Sequence, residues 1–159
     1  MSNELDKLTG EFVKLAGQVM DFLKHGKVRV LLVEDSPADV LLCRAMLATV
    51  PTRYEVDVAT TPEQAKEMIR TRNHHLVMLD WHLGNGQHTG LEIAKQLHEE
   101  GVPFPFIIYT AHEEDYVEAG ANDCMAWFSK MNTNPADLDA TLLLALKNYH
   151  TRSVAGLAL

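Results

Sequence analysis

The chain reads as a doubly wound α/β domain on a five-stranded parallel sheet. Two observations predict this. Five short apolar segments recur between residues 27 and 150, and each of the five is followed by a segment carrying helix signals. That alternation is the pattern of strands joined by crossover helices. Most of the apolar segments are unbroken runs, which suit strands covered on both faces.

The elements follow in order. "VRVLLV" (28–33) is continuous and rich in β-branched residues. "SPADVLLCRAMLATV" then opens a helix, with Ser36 as N-cap and Pro37 at the first helical position. "YEVDVA" (54–59) alternates with period two, and "TPEQAKEMIRTR" repeats the helix start at Thr61 and Pro62. "LVML" (76–79) is the third strand; "GLEIAKQLHEEG" carries apolar residues at 91, 93, 94 and 97 and stops at Gly101. "FIIY" (106–109) precedes the short, acidic "HEEDYVEAG". "CMAWF" (124–128) is the fifth strand, and "NPADLDATLLLALKNYH" starts at Asn134 and Pro135 and runs to about His150. The apolar tail at 151–159 is expected to fray, or else to extend an interface.

Residues 1–26 fall outside this alternation. Leu5, Leu8, Phe12, Leu15, Val19 and Phe22 are spaced 3, 4, 3, 4, 3, a heptad seam on an amphipathic helix. Three heptads are marginal alone, so this helix needs a partner. Packing on its own domain and homodimerisation with a second chain both remain open, although the flanking positions offer no complementary charge pairs.

With 159 residues, 47% hydrophobic and 23% charged, the chain can build a single-domain core of ordinary size. A formal charge of −8 argues against general binding to nucleic acid or anionic membranes. Cys43 and Cys124 lack metal-ligand spacing and read as free buried thiols in a reducing compartment. No signal peptide or membrane-span pattern is evident, so a cytoplasmic location is expected.

Ligands of an open parallel sheet bind at the carboxyl ends of its strands. Glu34 and Asp35 follow the first strand and Asp80 follows the third. If those strands are neighbours, the three carboxylates converge, and like charges that close call for a cation. An oxygen-only set with room for water suits Mg²⁺. Thr110 closes the fourth strand and Lys130 the fifth, adding a hydroxyl and an ammonium at the same rim. Such a set suits phosphoryl transfer to a carboxylate. Each residue has a plainer role open to it: an Asp after a strand can be a helix cap, and a Lys there is usually solvated. All five at the right strand ends are a much rarer coincidence.

These same positions carry a resemblance. "VLLVEDSPADVLL", "LVMLDWHLGNGQHTGLEIAKQL", "IIYTA", "EAGAND" and "FSK" resemble, in order, the motifs of the receiver domain of two-component response regulators, over about residues 28–150. The resemblance implies the flavodoxin-like strand order 2-1-3-4-5. It implies that Asp80 accepts a phosphoryl group from a phosphohistidine on a histidine kinase or phosphotransfer protein, with Mg²⁺ bound by Asp35, Asp80 and the backbone carbonyl of His82, and Glu34 acting through water. Thr110 and Lys130 would bind the phosphoryl oxygens, and Trp127 holds the place of the aromatic switch residue. Pro37, Ala38 and Leu41 are candidates for donor docking. His82 and His112 lie where the family tunes autodephosphorylation; surface loop residues are the alternative. The other histidines, His74 and His75 included, are read as surface.

The chain also departs from the family pattern. "LGNGQHTG" replaces a shorter, proline-containing turn, and its extra glycines suggest a mobile loop. Met131 stands where a proline with a cis peptide bond is usual, so a trans bond is expected. The fourth helix looks truncated. The resulting expectation is a stand-alone receiver, a phosphoacceptor and not a turnover enzyme, that signals through an unknown downstream protein or passes the phosphoryl group on. Rival readings are a Mg²⁺-dependent phosphatase-like enzyme, although His82 holds the place of its usual second acid, and a non-phosphorylated scaffold of the same fold.

Overall fold

The computed structural model describes residues 3–7, 9–10, 13–14, 26–83, 89–102, 104–112, 114–120 and 124–158. Five strands, β1 (Val28–Val33), β2 (Tyr54–Ala59), β3 (Leu76–Leu79), β4 (Phe106–Thr110) and β5 (Ala126–Ser129), alternate with α1 (Pro37–Ala48), α2 (Pro62–Arg70), α3 (Thr89–Glu99), α4 (Asp115–Gly120) and α5 (Pro135–Ala158). All strand pairs are parallel, in the order β2-β1-β3-β4-β5. β1 and β3 are therefore neighbours, with Val33 paired to Leu79, so the residues that follow them emerge side by side.

The unbroken apolar runs have the predicted cause. Along β1, Leu31 and Val33 enter one core with Ile69 of α2 and Ile93 and Leu97 of α3. Val30 and Leu32 enter the other core, with Met46 and Leu47 of α1 and Leu138, Leu142 and Leu146 of α5. Each fully buried side chain of this size contributes about 1.5–3 kcal/mol. β2 is an edge strand, and its exposed Glu55 and Asp57 account for the period-two pattern.

Local signals set the helix ends. Ser36 and Thr61 accept hydrogen bonds from Asp39 N (3.4 Å) and Gln64 N (3.1 Å), each with proline opening the helix. Gly101 sits at φ 73°, where Gly101 N–H reaches His98 O (3.0 Å) and Val102 N–H reaches Leu97 O (2.9 Å), closing α3.

Several expectations shift. β5 begins at Ala126 because its register is set by β4, which pairs Ile107 with Ala126 through Thr110 with Ser129. α5 does not stop near His150 but continues through Ala158, so the described part of the tail is helical. Nothing in "TRSVAGLA" breaks a helix except the single Gly156, and propagation is favourable once a helix is nucleated. His74 and His75 are half-buried and hydrogen-bonded rather than freely solvated. The His74 side chain is only 7% exposed and bonds Asp57 Oδ2 at 2.7 Å, while His75 Nδ1 accepts from Arg29 N at 2.9 Å. They lie at the amino ends of the strands, where backbone donors and edge carboxylates provide partners. α4 is short, as its sequence suggested.

At the N-terminus, residues 3–7, 9–10 and 13–14 are helical, and Leu5 is 65% exposed. The seam residues Leu8, Phe12, Leu15, Val19 and Phe22 lie outside the described residues, as does the loop 84–88. No described helix is long and apolar enough to cross a membrane.

Candidate functional site

The carboxyl edge of the sheet collects the chemistry. β1 delivers Glu34 and β3 delivers Asp80, each held by a backbone hydrogen bond to the neighbouring strand: Glu34 N–H to Ala59 O and Asp80 N–H to Val33 O, both 3.0 Å. Glu34 is 1% exposed, Asp80 5% and Thr110 2%, whereas Asp35 faces solvent. One carboxylate oxygen from each of Glu34, Asp35 and Asp80 lies within 4.8 Å of the others. The expected convergence is present.

Lys130 reaches into this cluster from the end of β5. Its backbone N–H bonds Thr110 O at 2.9 Å, which registers β5 against β4. Its Nζ lies 2.5 Å from Glu34 Oε2, 3.1 Å from Asp39 Oδ2 and 3.4 Å from Asp80 Oδ2, and 5.3 Å from the centre of the Tyr109 ring. No cis peptide bond occurs among the described residues, so the Lys130–Met131 bond is trans as expected. The lysine still reaches the site.

The electrostatics follow from burial. Burial pushes the Glu34 carboxyl up to about 7, with the Asp80 charge adding to the effect and the Lys130 hydrogen bond opposing it. Burial works against the Lys130 ammonium, but the Glu34 hydrogen bond and the Asp80 charge outweigh it and hold its pKa above the usual lysine value. One ammonium thus meets three carboxylates, from Glu34, Asp39 and Asp80, and the exposed Asp35 carboxylate adjoins two of them. The all-oxygen donor set and the uncompensated negative charge fit a hard divalent cation.

A second network flanks Asp80. His82 N–H donates to Asp80 Oδ1 at 3.1 Å, and His82 Nε2 meets Asp115 Oδ2 at 2.9 Å. Thr110 Oγ1 donates to the same Asp115 oxygen at 2.6 Å and accepts from His112 N–H at 3.2 Å. The His82 and His112 rings lie edge to face, with centroids 5.9 Å apart. Trp127 is half-buried against the core and lies 6.1 Å from the Tyr116 ring of α4. Leu41 of α1, a candidate for donor docking by resemblance only, is 71% exposed.

Four participants were not legible as such in the sequence. Asp39 and Asp115 are acids in the first turns of helices, indistinguishable there from ordinary helix-start carboxylates. Trp81 follows Asp80 yet is fully buried, and Gly90 packs directly against it. A Cβ at Gly90 would lie 2.9 Å from Asp80 O, Trp81 Cα and Trp81 Cε3.

Comparisons with known proteins agree with this geometry. The family model of the response regulator receiver domain matches residues 30–138. The aerobic respiration control sensor protein ArcB of Escherichia coli is 34% identical over 107 residues, covering 62% of this chain and 13% of that protein. The transcriptional regulatory protein DltR of Streptococcus agalactiae is 33% identical over 130 residues, covering 79% of this chain and 52% of DltR. The chain thus spans between 13% and about half of these two relatives. The crystal structure of a CheY-like receiver domain protein from Methanospirillum hungatei shares the fold, with TM-score 0.65, 22% identity, and coverage of 80% of this chain and 99% of that one. With the strand order, the strand-end residues and the family match in agreement, the chain belongs to the response regulator receiver domain family.

Proposed function

We propose that Asp80 accepts a phosphoryl group from a phosphohistidine on a histidine kinase or phosphotransfer protein, and that the modified chain signals by altered partner binding or passes the group on. One observation carries this reading. Asp80 is a nearly buried carboxylate at a strand end, with an ammonium at 3.4 Å and two further carboxylates grouped around it. The Asp80 carboxylate attacks phosphorus, the P–N bond to the donor imidazole breaks, and its electron pair stays on that nitrogen, which takes up a proton. β3 fixes the nucleophile. Lys130 offsets negative charge on the phosphoryl oxygens, and the Thr110 hydroxyl donates to one of them. Glu34, Asp35, Asp80 and, by resemblance, the His82 backbone carbonyl would hold Mg²⁺, which neutralises charge on the group being transferred. The chain acts as a phosphoacceptor and not as a turnover enzyme.

Incubation with Mg²⁺ and acetyl phosphate tests the proposal by mass spectrometry. A labile adduct on the wild type, lost in Asp80→Asn, is expected. No adduct on the wild type, or one that survives Asp80→Asn, refutes it. His82 and His112, set beside Asp80 and Thr110, modulate the lifetime of the acyl phosphate by ordering or blocking water. Replacing either with alanine is expected to change the dephosphorylation rate by more than about twofold, and a smaller change in both removes this role.

A further inference from the structure

The Thr110 hydroxyl has one proton to donate, and in this structure it goes to Asp115 Oδ2 at 2.6 Å. The same oxygen is reached by His82 Nε2 at 2.9 Å. A carboxylate oxygen only accepts, so His82 carries its proton on Nε2. Asp115 is 8% exposed and is the first residue of α4, its own N–H bonded to His112 O at 3.2 Å. One buried carboxylate therefore ties the loop after β3, the end of β4 and the start of α4 together. The next residue, Tyr116, lies 6.1 Å from Trp127 on β5.

We infer that Asp115 is a positioning residue that latches the unphosphorylated state, by competing with the phosphoryl group for the Thr110 hydroxyl. This rests on the phosphoacceptor reading above, in which Thr110 donates to a phosphoryl oxygen. The hydroxyl cannot serve both acceptors, so phosphorylation breaks the Thr110–Asp115 bond. The Asp115 side chain then keeps only His82, and α4 is left with its backbone bond to His112 O but without its side-chain tie to Thr110. The Tyr116–Trp127 face moves with it. The latch is a population device: whatever free energy the Asp115 bond adds to the unphosphorylated state is subtracted from the phosphorylated one. A charge-assisted hydrogen bond of this kind corresponds to a shift of roughly tenfold to a hundredfold.

The test uses beryllofluoride with Mg²⁺ as the phosphoryl mimic, read by tryptophan emission on the full chain. Asp115→Ala is expected to bind it about tenfold tighter than the wild type. Asp115→Asn, which keeps the size of the side chain, is expected to fall between the two, and it serves as the reading if the alanine variant does not fold. The decisive comparison is a double-mutant cycle. In a Thr110→Ala background, Asp115→Ala should change affinity by less than about twofold, because the latch acts through the hydroxyl. A merely structural role would carry over undiminished. If wild type binds beryllofluoride and neither Asp115 variant binds tighter, or if the gain persists without Thr110, the latch is overturned and the phosphoacceptor reading stands. If the wild type binds no beryllofluoride, both fall together.

Discussion

Gly90 packs against the turn that carries Asp80 from outside the acidic cluster, and Gly90→Ala makes that support measurable. The added methyl would sit 2.9 Å from three atoms, namely Asp80 O, Trp81 Cα and Trp81 Cε3. Comfortable carbon contacts are about 3.5–4.0 Å, so the overlap is at least about half an ångström in each carbon direction. Two of the three atoms are backbone of the turn that carries Asp80, and the third belongs to the ring of Trp81, which is fully buried. The ring has no free space to retreat into, so the turn must move. Overpacking of this kind costs about 1–3 kcal/mol. For a chain of this size that corresponds to a melting temperature lower by roughly 2–12 °C. If Asp80 is the phosphoacceptor proposed above, a shift of half an ångström there is expected to slow adduct formation by about tenfold, on the scale where 1 Å costs about a hundredfold. Thermal melts and acetyl phosphate labelling measure the two effects. Gly101→Ala is the control. Gly101 has open space around its Cβ position but lies at φ 73°, so the variant should lose about 1–2 kcal/mol with labelling unchanged. Wild-type stability and labelling in Gly90→Ala would refute the claim that this contact positions the turn.

Two further predictions concern charge. Lys130→Met leaves Glu34 buried without its ammonium, a loss of about 3 kcal/mol once the carboxyl is ionised. Glu34 is raised from 4.5 to about 7 even with Lys130 present, so the native variant holds a proton there that the unfolded chain releases above 4.5. The variant's stability therefore falls as pH rises from 4.5 through the folded value. Denaturant melts across that range check the sign, and a penalty that shrinks with rising pH contradicts it. His75 and His150 titrate the other way. Burial holds both below the ordinary 6.5, with the Arg29 charge also acting on His75. Their contribution is present above 6.5 and is lost as pH falls through the lowered folded values, because the unfolded chain takes up protons first. His75→Asn retains an acceptor for Arg29 N–H and removes one titration, so its acid-side slope should be shallower; an unchanged slope counts against the assignment.

Burial on both sheet faces makes the strands unbroken apolar runs, and that local consequence of the fold is visible in one dimension. The Ser-Pro and Thr-Pro helix starts and the Gly101 stop are legible for the same reason: the backbone groups they satisfy are within a few residues. Asp80 and Lys130 stand out because each follows a strand with a charge the strand itself has no use for, whereas Thr110 is an ordinary last residue of β4 and stands out only by its place beside them. What tertiary structure decided is which groups share an atom. Asp39 meets Lys130 across 91 positions of sequence, and His82 meets Asp115 across 33. Nothing in local spacing encodes these meetings, since parallel strands with crossover helices bring together residues far apart in the chain. The same holds for Trp81 and Gly90, whose contact depends on where α3 returns to the sheet. The register of β5 and the reach of α5 to Ala158 likewise depended on a neighbour or on propagation beyond the last strong signal. The sequence by itself determined the α/β class, the order of its strands and helices along the chain, and the place of Asp80 directly after the third strand. Only the packed sheet decided that the Thr110 hydroxyl is held by Asp115, because that bond exists only where the loop after β3, the end of β4 and the first turn of α4 converge.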